Sequence, residues 1–437
     1  MTAQVPRLPF SLHALVAEAK RRARRRRVLL AIVAIALGGG GAGAVYATHP
    51  FGWLESSSAT AADYQQGGVA VGSGGPPSFS SADLSSVSAL SRTSAWTLGS
   101  VAWQWDGSGW RAVPLPPAGR AMLNAVAAVA PDDVWAVGES GQGQTSPLVE
   151  HWNGMRWSVV GIPHFSFAAL SSVSVVGPRN VWALGMAWDP AQPLLLHWNG
   201  HRWLRQAVPW YRDGVELGKI VATGSSSVWI LSEGSPSILE HWDGSQWQAV
   251  PQPFGEHDPI GDFSATGWND AWAVGSYRTG PSRGYGYSHP LAAHWDGSTW
   301  TITPVPDVRG HNDTELDSVA AAGRHDAWAI GQSQHLELGD HSVSAGGLQA
   351  LLVHWDGRRW SITPGSGLAG VNPHGITVAK DGSAWAVGDC GNDSVVLGWN
   401  GASWKVVPHP RDLRWNADVP ASQRRRLKSC ASGASGS

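Results

Sequence analysis

Lysine is nearly missing from this 437-residue chain, with five residues against 26 arginines. Charged side chains of both signs make up 15%, well below the roughly 25% of an ordinary soluble domain. The formal net charge is -2. A chain so poor in charge is not a solvated disordered polymer, and it has no global positive field for nucleic acid, so no nucleic-acid partner is expected. Cysteine is scarce as well. Cys390 and Cys430 are the two present, and no CxxC pair exists, which excludes zinc-ribbon and dithiol-redox chemistry. Neither a Walker loop nor an HExxH motif occurs, and no metal or cofactor is predicted. Phenylalanine and tyrosine are few, 7 and 6, so another residue must supply the aromatic bulk of a core.

Tryptophan supplies it, with 27 residues, alongside 54 glycines. The tryptophans are spaced by rule. The unit W-[DN]-G-x-x-W occurs at Trp105–Trp110, Trp152–Trp157, Trp198–Trp203, Trp242–Trp247, Trp295–Trp300, Trp355–Trp360 and Trp399–Trp404. Upstream of each lies one more, in a context such as VWAVG: Trp96, Trp135, Trp182, Trp229, Trp272, Trp328 and Trp385. Ahead of that stands a run of small and apolar residues such as LSSVSAL or LNAVAAV. Each unit therefore holds four short β-type runs, and the Asp-Gly or Asn-Gly between the third and fourth is a hairpin signal. Units of this length repeated seven times predict an all-β, seven-bladed β-propeller. The indoles would fill the wedges between blades, and small first-strand residues would line the narrow centre.

The apolar run Val28–Ala47, VLLAIVAIALGGGGAGAVYA, carries no charge over 20 residues. As a helix it would span about 30 Å, the hydrocarbon thickness of a bilayer. Lys20, Arg21, Arg22 and Arg24 to Arg27 precede it and nothing comparable follows. The positive-inside rule puts the N-terminus in the cytoplasm and the rest outside. A cleaved signal peptide ending at Ala44 or Ala47 is the other reading of this run. The long basic leader favours a retained signal anchor. The predicted organisation is a cytoplasmic basic leader over 1–27, an N-terminal transmembrane helix over 28–47, a flexible linker rich in Ser, Gly, Ala and Pro over 48–81, the propeller over 82–414 and a tail over 415–437. The expected location is the cell membrane, single-pass, with the propeller extracytoplasmic.

The units resemble the Trp-rich AVG…HWNG…W repeats of exported bacterial β-propellers, a group placed loosely with kelch and galactose-oxidase-like domains. The resemblance covers about three quarters of the chain and implies the propeller fold. Kelch's paired glycines and the Gly-His element of WD40 repeats are missing, and Asp296 and Trp300 stand four apart, unlike the five of a sialidase Asp-box.

Binding is expected on the variable connections of one propeller face. The longest belong to blades 5 and 6. Ser276–Pro290 carries Tyr277, Arg283, Tyr285, Tyr287 and His289. Gln332–Gly347 carries His335, and Val305–Glu315 carries Arg309 and His311. The alternation of His311, Asp313, Glu315 and Asp317 would aim four metal-capable groups to one side of an extended chain, although no known ligand spacing is matched. A second candidate is the channel mouth, where Lys219 and Asp262 hold equivalent positions in adjacent first strands, with Asp317 and His374 one residue earlier in the next two. An ion-paired plug and a substrate-binding centre both fit that set. Five histidines preceding the third-strand tryptophan read as repeat structure. Outside the cytoplasm Cys390 and Cys430 could form a disulfide that pins the tail to the last blade. The function expected is a membrane-tethered recognition or scaffold module for a protein or glycan ligand. The alternative is a propeller hydrolase or lyase acting on cell-surface glycans.

Overall fold

Each blade begins with a strand from the run of mostly small and apolar residues ahead of the VWAVG-type segment. In the computed structural model the described residues are 84 and 86–407, apart from 100, 118–120, 142–144, 209–210, 212–214, 234–236, 256–257, 259, 280–285, 339–342, 367 and 391–392. The leader, the 28–47 segment, the linker and the tail from 408 lie outside them. The chain divides into two units, Met1–Ser80 and Ser81–Ser437, and all strands belong to the second. They form seven four-stranded antiparallel sheets, each from four consecutive strands. First strands contact one another from blade to blade, and the first strand of blade 1 (Ser86–Ser91) meets that of blade 7 (Val371–Val378). The architecture is a seven-bladed β-propeller. Among the described residues no helix is long and apolar enough to cross a membrane.

The glycine of the AVG triplet has a steric cause. In blades 2 to 7 the first strand carries a β-bulge just before its channel-facing residues, for example between Leu123 and Ala125 and between Leu316 and Ser318. The bulge pushes a carbonyl toward the second strand. A Cβ on Gly138 would overlap the carbonyl oxygen of Met122, and one on Gly331 that of Glu315. At these two positions glycine admits the approach, whereas blade 4, which also carries the bulge, has Ser232 there.

Tryptophans pack as triads across the blade interfaces. Trp96 of blade 1 meets Trp152 and Trp157 of blade 2, at 5.4 and 5.5 Å between ring centroids. Trp135 meets Trp198 and Trp203, and Trp328 meets Trp399 and Trp404, in the same arrangement. Edge-on pairs of this kind add about 0.5–1.5 kcal/mol beyond the area they bury. The last interface has the same triad: Trp385 of blade 7 meets Trp105 and Trp110 of blade 1, at 5.6 and 5.9 Å. Leu84, Val87 and Ala95 complete that seam, and Asp381 accepts the backbone N–H of Arg92 across it at 2.9 Å. Among the described residues the ring thus closes by side-chain packing and the Arg92–Asp381 bond, with no strand exchanged between its ends.

The Asp-Gly hairpins differ in detail from a two-residue turn in which both residues take positive φ. Four residues form each loop, and of the pair only the glycine has positive φ, as at Gly107 (96°) and Gly297 (101°). The aspartate or asparagine instead accepts bonds from the next N–H groups. Asp243 Oδ1 takes the N–H of Ser245 at 2.7 Å and of Gln246 at 2.9 Å. These donors, the Gln246 N–H foremost, hold its carboxyl down at about 2.

Candidate functional site

The connections expected as loops on blades 5 and 6 are largely strands. The second and third strands span five and four residues in blade 1. In blade 5 they are Asp270–Thr279 and Tyr287–Trp295, and in blade 6 Asp326–Leu338 and Val343–Trp355. Tyr277, Tyr287, His289 and His335 therefore sit on hairpin arms that outrun their sheets. The cause is continued cross-strand pairing: Tyr277 faces His289 and Thr279 faces Tyr287, while His335 faces Gly346. The Tyr277 ring stacks on that of His289 at 4.9 Å, and His289 Nε2 lies 2.8 Å from Thr279 Oγ1. Arg283 and Tyr285 lie outside the described residues.

The two arms and the segment entering blade 6 are joined. Asp313 Oδ1 accepts the N–H of Ser288 on the blade 5 arm at 2.8 Å, and its Oδ2 accepts Gln334 Nε2 of the blade 6 arm at 2.9 Å. His311 Nδ1 lies 2.9 Å from Ser333 Oγ and 3.4 Å from Gln349 Nε2. Asn312 bonds Leu336 through both its amide groups. Arg309 and His335 remain exposed, and Tyr277 is 37% exposed. The result is a crest with an aromatic and mixed-charge surface and a hydrogen-bonded base. The alternation of His311, Asp313, Glu315 and Asp317 is broken, since Asp317 falls on the bulge. Asp313 and Glu315 are engaged by Gln334 and Gln332. Among the described residues no three His, Cys, Asp or Glu side chains gather as a metal would require.

In the channel the four residues separate into two sets. Lys219 Nζ meets Asp262 Oδ1 at 2.7 Å. Asp262 Oδ2 accepts the Ser318 hydroxyl at 2.7 Å and the Val319 N–H at 3.0 Å. Asp262 stands where other blades carry a serine that performs the same service: Ser86 Oγ accepts the Val126 N–H and Ser172 Oγ the Ile220 N–H, both at 3.2 Å. Asp317 and His374 occupy the bulge positions of blades 6 and 7, and His374 Nε2 is 3.4 Å from Asp389 Oδ2. Asp262 thus ties three blades together with both oxygens occupied. Sequence reasoning missed the serines. Their signal was the Ser-Val-Ser triplet recurring in the first strands of blades 1 and 3.

The repeat histidines are tied into the blades. The His151 ring lies tilted against Trp135 at 4.3 Å between centroids and bonds Asp133 at 2.8 Å, and His294 does the same with Trp272 and Asp270 at 4.7 and 2.7 Å. Burial pushes the imidazoles of His197 and His241 down. One charged group went unnoticed. Glu150 is fully buried at the blade 1–2 interface, and neither carboxylate oxygen has a hydrogen-bond partner. Burial pushes its carboxyl up to about 7. Leu196, Val353 and Leu397 hold its position in other blades, so an acid in an apolar alternation was the available signal. Glu240, two blades on, shares the position, is 6% exposed and is raised for the same reason. Cys390 is disulfide-bonded and Cys430 lies outside the described residues.

Several solved structures resemble the chain at low identity. One described as YCF48 bound to D1 peptide aligns at 18% identity over 68% of this chain and 84% of that one, with a TM-score of 0.42. The SapL1 lectin in complex with alpha methyl fucoside aligns at 13% identity, over 64% and 93%, with a TM-score of 0.38. The WD40 β-propeller domain of Doa1 aligns at 10% identity, over 74% and 94%, with a TM-score of 0.43. These likenesses extend to the fold alone. No protein-family model matches the chain, and no curated protein matches it.

Proposed function

We propose that the chain is a membrane-tethered, extracytoplasmic recognition or scaffold module, an exported Trp-rich propeller that holds a protein or glycan partner on the blade 5–6 crest. The single observation that carries this reading is the crest itself. Two hairpin arms outrun the blades and are bonded to one another's base through Asp313. Variable elements on a rigid scaffold are where binding resides. The tethering rests on the basic run before Val28 and the uncharged 20 residues that follow. A Cys390–Cys430 disulfide, suited to that compartment, would fasten the tail to blade 7.

The test shortens the blade 6 arm by replacing residues 335–346 with a two-residue turn in the full-length protein. Wild-type protein should bind the envelope fraction of its own cells, and the shortened variant should lose that binding while keeping the tryptophan fluorescence of the folded ring. Equal binding by both would overturn the crest as the site. A C-terminal alkaline phosphatase fusion should be active. An inactive fusion whose fluorescent-protein counterpart glows in the cytosol would overturn the location.

A further inference from the structure

The propeller channel contains a cavity of about 200 Å³, lined by first-strand residues of blades 1 to 4, 6 and 7. Its polar side chains come from Ser86, Ser172, Ser318 and Lys219, and the rest of the wall is mostly valine, isoleucine and other small residues. The polar groups share a property. The Ser86 and Ser172 oxygens already accept a backbone N–H from the next blade, which leaves each hydroxyl a proton to give. Lys219 has given one N–H to Asp262 and keeps two. Asp262 does not line the cavity. It is turned into the wall, where three donors satisfy it. Lys219 is one-third exposed and Asp262 is about one-tenth exposed.

The side-chain lining thus offers hydrogen-bond donors and one fixed ammonium, with no carboxylate among the lining side chains. Ordinary ligand pockets run from about 300 to 1,000 Å³, and this space is smaller. The space holds about six or seven waters at roughly 30 Å³ each. We propose that the channel binds one small oxyanion, seated on Lys219 and the Ser86 and Ser172 hydroxyls. Asp262 fixes the lysine in place and at the same time weakens the site by its own charge. This site is separate from the crest and stands or falls independently of it.

The probe is inorganic phosphate, titrated calorimetrically into the full-length protein at low ionic strength. One saturable site per chain is expected. Lys219→Met should weaken it by about tenfold or more, while Asp262→Asn should tighten it severalfold, because the ammonium loses its counter-charge. A purely structural ion pair would predict no uptake, or equal damage from both variants. The double variant Lys219→Met/Asp262→Asn leaves no lone buried charge. It should fold by near-ultraviolet circular dichroism and still fail to bind. Arg309→Ala on the crest should leave phosphate uptake unchanged. Absence of saturable uptake at tens of millimolar phosphate, survival of uptake in Lys219→Met, or loss of uptake in Asp262→Asn with the fold intact would each overturn the proposal.

Discussion

A carboxyl group enclosed by hydrocarbon takes the form that costs least, which is the protonated one. Glu150 has a folded value of about 7 against an ordinary 4.5. The folded protein therefore holds this proton more tightly than the unfolded chain. Stability from this group is fully present below about pH 4.5 and is lost as pH rises through 7, and the gap corresponds to about 3 kcal/mol. Glu150→Gln should match wild type in urea midpoint at pH 4.5. It should become more stable than wild type from pH 6 upward, with the difference levelling off above pH 8. A difference that is flat with pH would mean that the carboxyl finds a partner or water in solution. The same residue marks where residue-level reading stopped. The alternation of the third strand tells that position 150 points inward, but not that no donor waits there.

At the scale of the element, the bulge and its glycine form one device. Gly138→Ala drives a methyl into the Met122 carbonyl and should cost on the order of 1–3 kcal/mol. Gly109 in the blade 1 turn has open space around its Cβ direction, so Gly109→Ala should stay within about 0.5 kcal/mol of wild type. Equilibrium urea denaturation of the two variants separates them, and similar losses would remove the steric reading of the AVG triplet. Strand count, blade count and the tryptophan seams were legible, because each rests on periodic apolar residues and turn residues that repeat seven times. The arms of blades 5 and 6 were not. Their extension depends on cross-strand partners such as Tyr277 and His289 that occur once, and single occurrences leave no periodic trace. The Lys219–Asp262 pairing was legible as an alignment of equivalent positions. The role of Asp262 as a substituted serine needed the hydrogen bonds.

For the whole molecule, the closing seam carries the same tryptophan triad as the interfaces between blades 1 and 2, 2 and 3, 5 and 6, and 6 and 7. Trp385 is 4% exposed, and Trp385→Ala should cost about 3–5 kcal/mol, as large aromatic deletions do. The loss should appear first as faster amide exchange in blades 1 and 7, read by mass spectrometry. Uniform acceleration through all seven blades would mean that the ring unfolds only as one body. Because every sheet is complete within its own stretch of chain, the order in which the blades are synthesised carries no structural information. A gene permuted to begin at blade 4, run through a linker joining the old ends, and finish with blade 3 would encode the same circle with its seam moved to an arbitrary place.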